Sequence, residues 1–110
     1  MSKESEFFLK IAIYNSHNDR PVFRWLREGN IALGVDVAQQ YITSKIPEAR
    51  EKQYSVYISL NKSHRENGNT PIYERERQQG NVRQSMDEFT EFIETKFGFS
   101  NVKEIKQALS

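Results

Sequence analysis

The chain has 110 residues and a mass of 13.0 kDa, and 36% of its residues are hydrophobic, 12% aromatic and 28% charged. That is too short for two separate cores and too aromatic for a disordered segment, so a single domain spanning 1–110 is expected. Sixteen Lys and Arg against fifteen Asp and Glu leave a formal charge of +1, which excludes a global field favouring nucleic acid, membrane or acidic substrates and requires any such preference to be local.

The first segment, Met1 to Glu6, is polar and lacks the apolar stretch of a signal peptide. Phe7, Leu9, Ile11 and Ile13 then alternate with Phe8, Lys10, Ala12 and Tyr14, the two-residue period of a strand with one buried face. Residues 15–19 are five short polar side chains that compete with a sheet ladder, and Pro21 opens a new element. Val22 to Glu28 fits a helix or a strand. Its aromatic and β-branched content, followed by Gly29-Asn30 and the alternating Ile31, Leu33, Val35 and Val37, favours a hairpin. A short helix is expected from Asp36, whose carboxylate would cap it, and Pro47 bounds it. Residues 48–53 read as a charged connector.

Tyr54, Val56, Ile58 and Leu60 alternate with Ser55, Tyr57, Ser59 and Asn61 and predict a second half-buried strand. Asn67-Gly68 suits a tight turn into a returning strand over 70–77. A two-residue turn there would set Leu60 opposite Arg75, mixing apolar and charged residues on one face, so a bulge or a wider loop is expected. Ser85-Met86-Asp87-Glu88 has the form of a capping box, and Met86, Phe89, Phe92, Ile93 and Phe97 supply an apolar helical stripe that Gly98 would end. Ser100 would cap a last short helix carrying Val102, Ile105 and Leu109. These patterns predict an α+β fold, an antiparallel sheet of about four to five strands with a C-terminal helix pair packed on one face.

Absent cysteines rule out disulfides, thiolate catalysis and cysteine-held zinc or iron–sulfur sites, and favour a cytoplasmic location. His17 and His64 lie in polar loops without a second ligand at a recognised spacing, so no metal or cofactor is expected. The scattered glycines form no phosphate-binding loop, and no nucleophile, base and orienter assemble, so the expectation is a binding protein without catalysis. The acids Asp87, Glu88, Glu91 and Glu94 near a helix start suit its dipole and need no metal.

The constellation with binding chemistry is the second hairpin. Tyr73, Arg75 and Arg77 alternate, Tyr57 is the aromatic on the polar side of the preceding strand, and Lys62, Arg65 and Arg83 flank them. Arginine forks for phosphates beside rings for bases are how sheet surfaces hold single strands, which predicts single-stranded nucleic acid as the partner. Arg24 and Trp25 form a second candidate patch, suited to a base or to a protein hot spot. The competing expectation is a protein-binding inhibitor or adaptor of the kind phages and other mobile elements carry, which the near-zero net charge and the opposed acidic helix and basic hairpin suit equally well. No membrane contact is expected, and a homodimer through an edge strand is compatible with the pattern.

Overall fold

The computed structural model describes residues 7–16, 19–62 and 71–97. Four antiparallel strands, β1 (Phe8–Asn15), β2 (Pro21–Glu28), β3 (Tyr54–Asn61) and β4 (Tyr73–Arg75), form one sheet in the order β2-β1-β3-β4. Two helices complete the α+β fold, α1 (Ile31–Lys45) between β2 and β3, and α2 (Val82–Phe97) after β4. Residues Glu48–Gln53 form a 3-10 turn that delivers the chain into β3.

β1 is the hub because its alternation is the strictest. Leu9, Ile11 and Ile13 are wholly buried on one face, paired with Arg27, Trp25 and Phe23 of β2 and with Leu60, Ile58 and Val56 of β3. Apart from the exposed Arg27 and the half-buried Phe23, which packs against its margin, those side chains join Ile31, Val35, Ala38 and Ile42 of α1 and Val82, Met86, Phe89 and Ile93 of α2 in one core cluster. Both helices therefore cover the same face, and the opposite face of the sheet carries no helix among the described residues. Of the expected C-terminal helix pair, α2 packs on this face together with α1, and the final short helix expected from Ser100 falls on residues outside the described set.

Segment 22–28 is a strand, as the aromatic and β-branched content favours, but its hairpin partner is β1 and the expected strand over 31–37 is helical. Gly29 and Asn30 both adopt positive φ, 69° and 51°, the signature of a tight hairpin turn, yet here they reverse the chain into α1. The alternation of Ile31, Leu33, Val35 and Val37 shares Ile31 and Val35 with the helical spacing Ile31, Val35, Ala38, Ile42. Burial of all four residues of the latter set, with Leu33 and Val37 only half-buried, shows which period governs. Asp36 accordingly lies inside α1, whose N-cap position is Asn30, and its carboxylate accepts from the Gln40 side chain at 2.6 Å.

α2 begins three residues before the expected capping box. Ser85 sits within the helix and donates its hydroxyl to the Asn81 carbonyl at 2.6 Å, and Glu88 turns to Gln84 and Arg75 instead of reaching back to Ser85. The core assignment of Phe89 and Ile93 is borne out, with both fully buried, while Phe92 is half-buried at the margin. The side chain of Phe97 and residue Gly98 lie outside the described set.

Candidate functional site

Register decides which hairpin residues can act together. β3 and β4 pair Leu60 with Tyr73 and Ile58 with Arg75, a shift of two residues from the tight-turn alignment, while the bulge or wider loop expected between them falls on residues 63–70, outside the described residues. An even shift preserves faces, however, and Tyr73 and Arg75 stay on the core side with Leu60 and Ile58. Tyr73 packs at a tilt against Phe89 and Phe92 of α2, with centroids 4.9 and 4.8 Å away. Arg75 extends under α2 and forms an ion pair with Glu88, which also accepts from the Gln84 side chain at 2.8 Å. The hydrogen bond from Gln84 and then the Arg75 guanidinium hold the Glu88 carboxyl below the usual glutamate range. The Nε of Arg75 is buried without a partner among the described residues. An edge strand of three residues tolerates this inward arginine because the acid comes from the covering helix.

Tyr57 projects from the opposite face, which no helix covers among the described residues. Its hydroxyl donates to Glu74 at 2.6 Å, and the Lys10 ammonium lies 5.4 Å from its ring centroid. Partial burial and then the Glu74 bond push its pKa above that of a free phenol. Arg77, just past the end of β4, lies over this same face: its guanidinium is 3.8 Å from the ring centroid of Tyr14, and its Nε donates to the Ser55 hydroxyl at 3.0 Å. Ala12, between Tyr57 and Arg24 in the sheet, is buried on this face as a small residue beneath larger neighbours. Tyr14 and Lys10 were not among the residues picked from the sequence. Their signal was present: they occupy the polar phase of the clearest alternation in the chain.

The other candidates separate. Arg24 is exposed on the uncovered face, whereas Trp25 turns to the core with 8% exposure. Arg27, on the same side as Trp25, stacks on its indole at 4.5 Å. Arg83 lies on α2, where it pairs with Glu51 at 2.7 Å and donates to the Ile46 carbonyl at 2.6 Å, clamping the 3-10 turn to the helix. It contributes nothing to the Tyr57 face. Lys62 is exposed just beyond β3, and Arg65 lies outside the described residues. The proposed grouping of Tyr57 with Tyr73, Arg75 and Arg83 is thus corrected. The residues that share a face are Lys10, Tyr14, Arg24, Tyr57 and Arg77, with Glu28 and Glu74 on the two edge strands.

A cavity of about 170 Å³ between the helices is lined by Gln39, Ile42, Thr43, Arg83, Met86 and Asp87. It is smaller than a site for a drug-sized ligand, and its arginine is already committed to Glu51. Among the described residues no group of three His, Cys, Asp or Glu is arranged to hold a metal ion, and no described helix is long and apolar enough to cross a membrane. No protein-family model matches the chain, and no curated protein or solved structure is significantly similar to it. Fold and site define a class by architecture alone, a small α+β domain whose described helices cover one face of a four-stranded sheet.

Proposed function

We propose that the chain is a non-catalytic binding domain that holds single-stranded nucleic acid on the uncovered face of its sheet. The observation that carries this reading is the pairing of rings with cations there, Arg77 over Tyr14 and Lys10 over Tyr57, with Arg24 exposed alongside. Each cation on a ring can exchange places with a base: the guanidinium or ammonium moves to a phosphate and the vacated π-face accepts the base. A base stacked on an aromatic side chain contributes about 1 to 3 kcal/mol, more than an exposed cation–π contact of about 0.5 to 1 kcal/mol, so the exchange is favourable.

Fluorescence anisotropy of labelled single-stranded DNA and RNA across a salt series tests the reading. Binding that weakens as salt rises supports it; no binding by about 100 μM protein at low salt, or binding without a salt slope, overturns it.

A second reading, a protein-binding inhibitor or adaptor, is favoured by Val22 and Leu26, which are 38% and 44% exposed on β2. Exposed apolar side chains beside arginine suit a protein interface as well as they suit a strand of bases. A stoichiometric protein partner recovered from native extract after nuclease treatment selects this reading over the first.

A further inference from the structure

The sheet face that carries Tyr14 and Tyr57 surrounds its two rings differently. Tyr14 pairs with Ser55 and Ala12 with Tyr57, so the two tyrosines are diagonal neighbours across β1 and β3. The Tyr14 ring lies under the Arg77 guanidinium, and among the described residues no carboxylate bonds it. The Tyr57 ring ends on one: its hydroxyl donates to Oε2 of Glu74 at 2.6 Å. Glu74 is exposed on β4, where the ladder sets it directly opposite Ser59, and the phenol bond anchors its carboxylate at the rim of the ring. The second carboxylate oxygen, Oε1, has no partner among the described residues and is held at the same rim.

A carboxylate accepts hydrogen bonds and donates none, and a bond to it is roughly twice as strong as one between neutral groups. A base stacked on Tyr57 therefore meets a fixed acceptor at its edge, and the bases differ in what they bring to it. Thymine and uracil bring one N–H flanked by two carbonyl oxygens, which the carboxylate repels. Adenine and cytosine bring one amine beside an acceptor nitrogen. Guanine brings two neighbouring donors, N1–H and the N2 amine, and is the best complement. The Lys10 ammonium, 5.4 Å from the centroid of the same ring, supplies a cation for the adjoining phosphate.

We infer that Tyr57 and Glu74 form a guanine subsite within this face, the ring stacking the base and the carboxylate accepting from its N1–H and N2 amine edge. Tyr14 stacks a neighbouring base of any kind. The subsite rests on the single-strand reading above and adds a sequence preference to it.

Anisotropy titrations at low salt use labelled thymine octamers of DNA, and their uracil counterparts in RNA, with guanine, hypoxanthine, adenine, cytosine or no replacement at one central position. The guanine octamer is expected to bind about tenfold more tightly than the unreplaced one, and hypoxanthine, which lacks only the N2 amine, to lose most of that gain. Glu74→Gln removes the charge that repels carbonyl oxygens. It abolishes the guanine preference while binding of the unreplaced octamer is kept or tightened, which also shows that the variant is folded. Tyr57→Phe keeps the ring and releases the carboxylate, so it reduces the preference with little effect on the unreplaced octamer. Tyr14→Ala weakens all octamers by a similar factor and preserves the preference. Equal affinities for all octamers that still fall with salt strike out the subsite and leave the single-strand reading standing. No binding of any DNA or RNA octamer by about 100 μM protein overturns both. A guanine preference that survives Glu74→Gln, or that hypoxanthine shares in full, overturns the subsite, because the base edge is then read elsewhere.

Discussion

A β-carbon placed on Gly34 would lie 2.5 Å from the Nε1 atom of Trp25. α1 therefore approaches β2 closely enough that the indole occupies the space a side chain would take, and helix and sheet meet through a glycine. Ala is better than Gly in a helix interior by about 1 kcal/mol, so an unobstructed Gly34→Ala would stabilise the protein. Here the clash is with a ring buried in the core, and overpacking of this kind costs about 1 to 3 kcal/mol. Gly34→Ala is expected to lower the midpoint of a urea titration; a raised midpoint would show that the indole shifts freely.

Phe89 of α2 is fully buried in the core and packs at a tilt against the Tyr73 ring of the sheet. Phe89→Ala is expected to cost about 3 to 5 kcal/mol in the same titration, through forfeited transfer energy and the cavity left behind. Phe92, half-buried at the margin, should cost clearly less. Equal losses at the two positions would mean that the helix is rotated from the orientation described.

The Arg75–Glu88 pair carries a pH dependence with a definite sign. The Glu88 carboxyl titrates below its ordinary value because Gln84 donates to it and Arg75 lies beside it. A carboxyl with a lowered folded pKa contributes stability that is present above its unfolded value, about 4.3, and is lost as pH falls through the lower folded value. The stability gap between the wild type and Glu88→Gln is therefore expected to be constant near neutrality and to shrink below about pH 4.5. Urea titrations at a series of acid pH values measure it, and a gap that persists unchanged to about pH 2 would show that the carboxylate charge is immaterial.

At the alkaline end the phenols supply the counterpart. Tyr57 and Tyr41 are both raised above the ordinary value of 10.0, each chiefly by burial, with the bond to Glu74 adding to Tyr57. A phenol whose folded pKa is raised contributes stability below its unfolded value and loses it as pH rises through the folded one. Titrating the phenolate absorbance of the native protein should show a late component that Tyr57→Phe diminishes and the further change Tyr41→Phe removes. If the native and denatured curves superimpose, neither phenol is held as described.

How far these relationships were legible in the sequence depends on the range over which each is decided. The alternations in β1 and β3 are local, and each strand appeared where its pattern predicted. The face assignment of Tyr73 and Arg75 is set by the β3–β4 register, which a tight-turn alignment already implied, since a shift of two residues leaves the face unchanged. The apparent conflict of an arginine opposite Ile58 was real and is resolved from outside the hairpin, by Glu88 on α2. No local pattern announces that an acid ten or more residues away will meet it. The step from Gly29-Asn30 into α1 was obscured for a different reason: both a hairpin and this helix entry use the same positive-φ dipeptide. Lys10 and Tyr14 were passed over because a strand read for its core leaves its polar phase unexamined.

The same partition of arginines separates binding from folding. Arg77, Arg24 and Lys10 stand on the uncovered face, whereas Arg75 and Arg83 are tied to Glu88 and Glu51. If single strands bind the open face, replacing Arg24 or Lys10 by Ala weakens binding and reduces the slope of log affinity against log salt by about 0.7 for each phosphate no longer neutralised. Tyr14→Ala weakens binding with less change in slope, because it removes a stacking platform and no charge. Arg83→Ala releases the 3-10 turn from α2 and is expected to lower stability by about 1 to 2 kcal/mol while leaving affinity and slope unchanged under native conditions. Anisotropy titrations of these four variants at several salt concentrations, each first shown to be folded by circular dichroism, decide the matter. An Arg83 variant that loses affinity while the Lys10 and Arg24 variants keep theirs would move the ligand from the open face of the sheet to the helices.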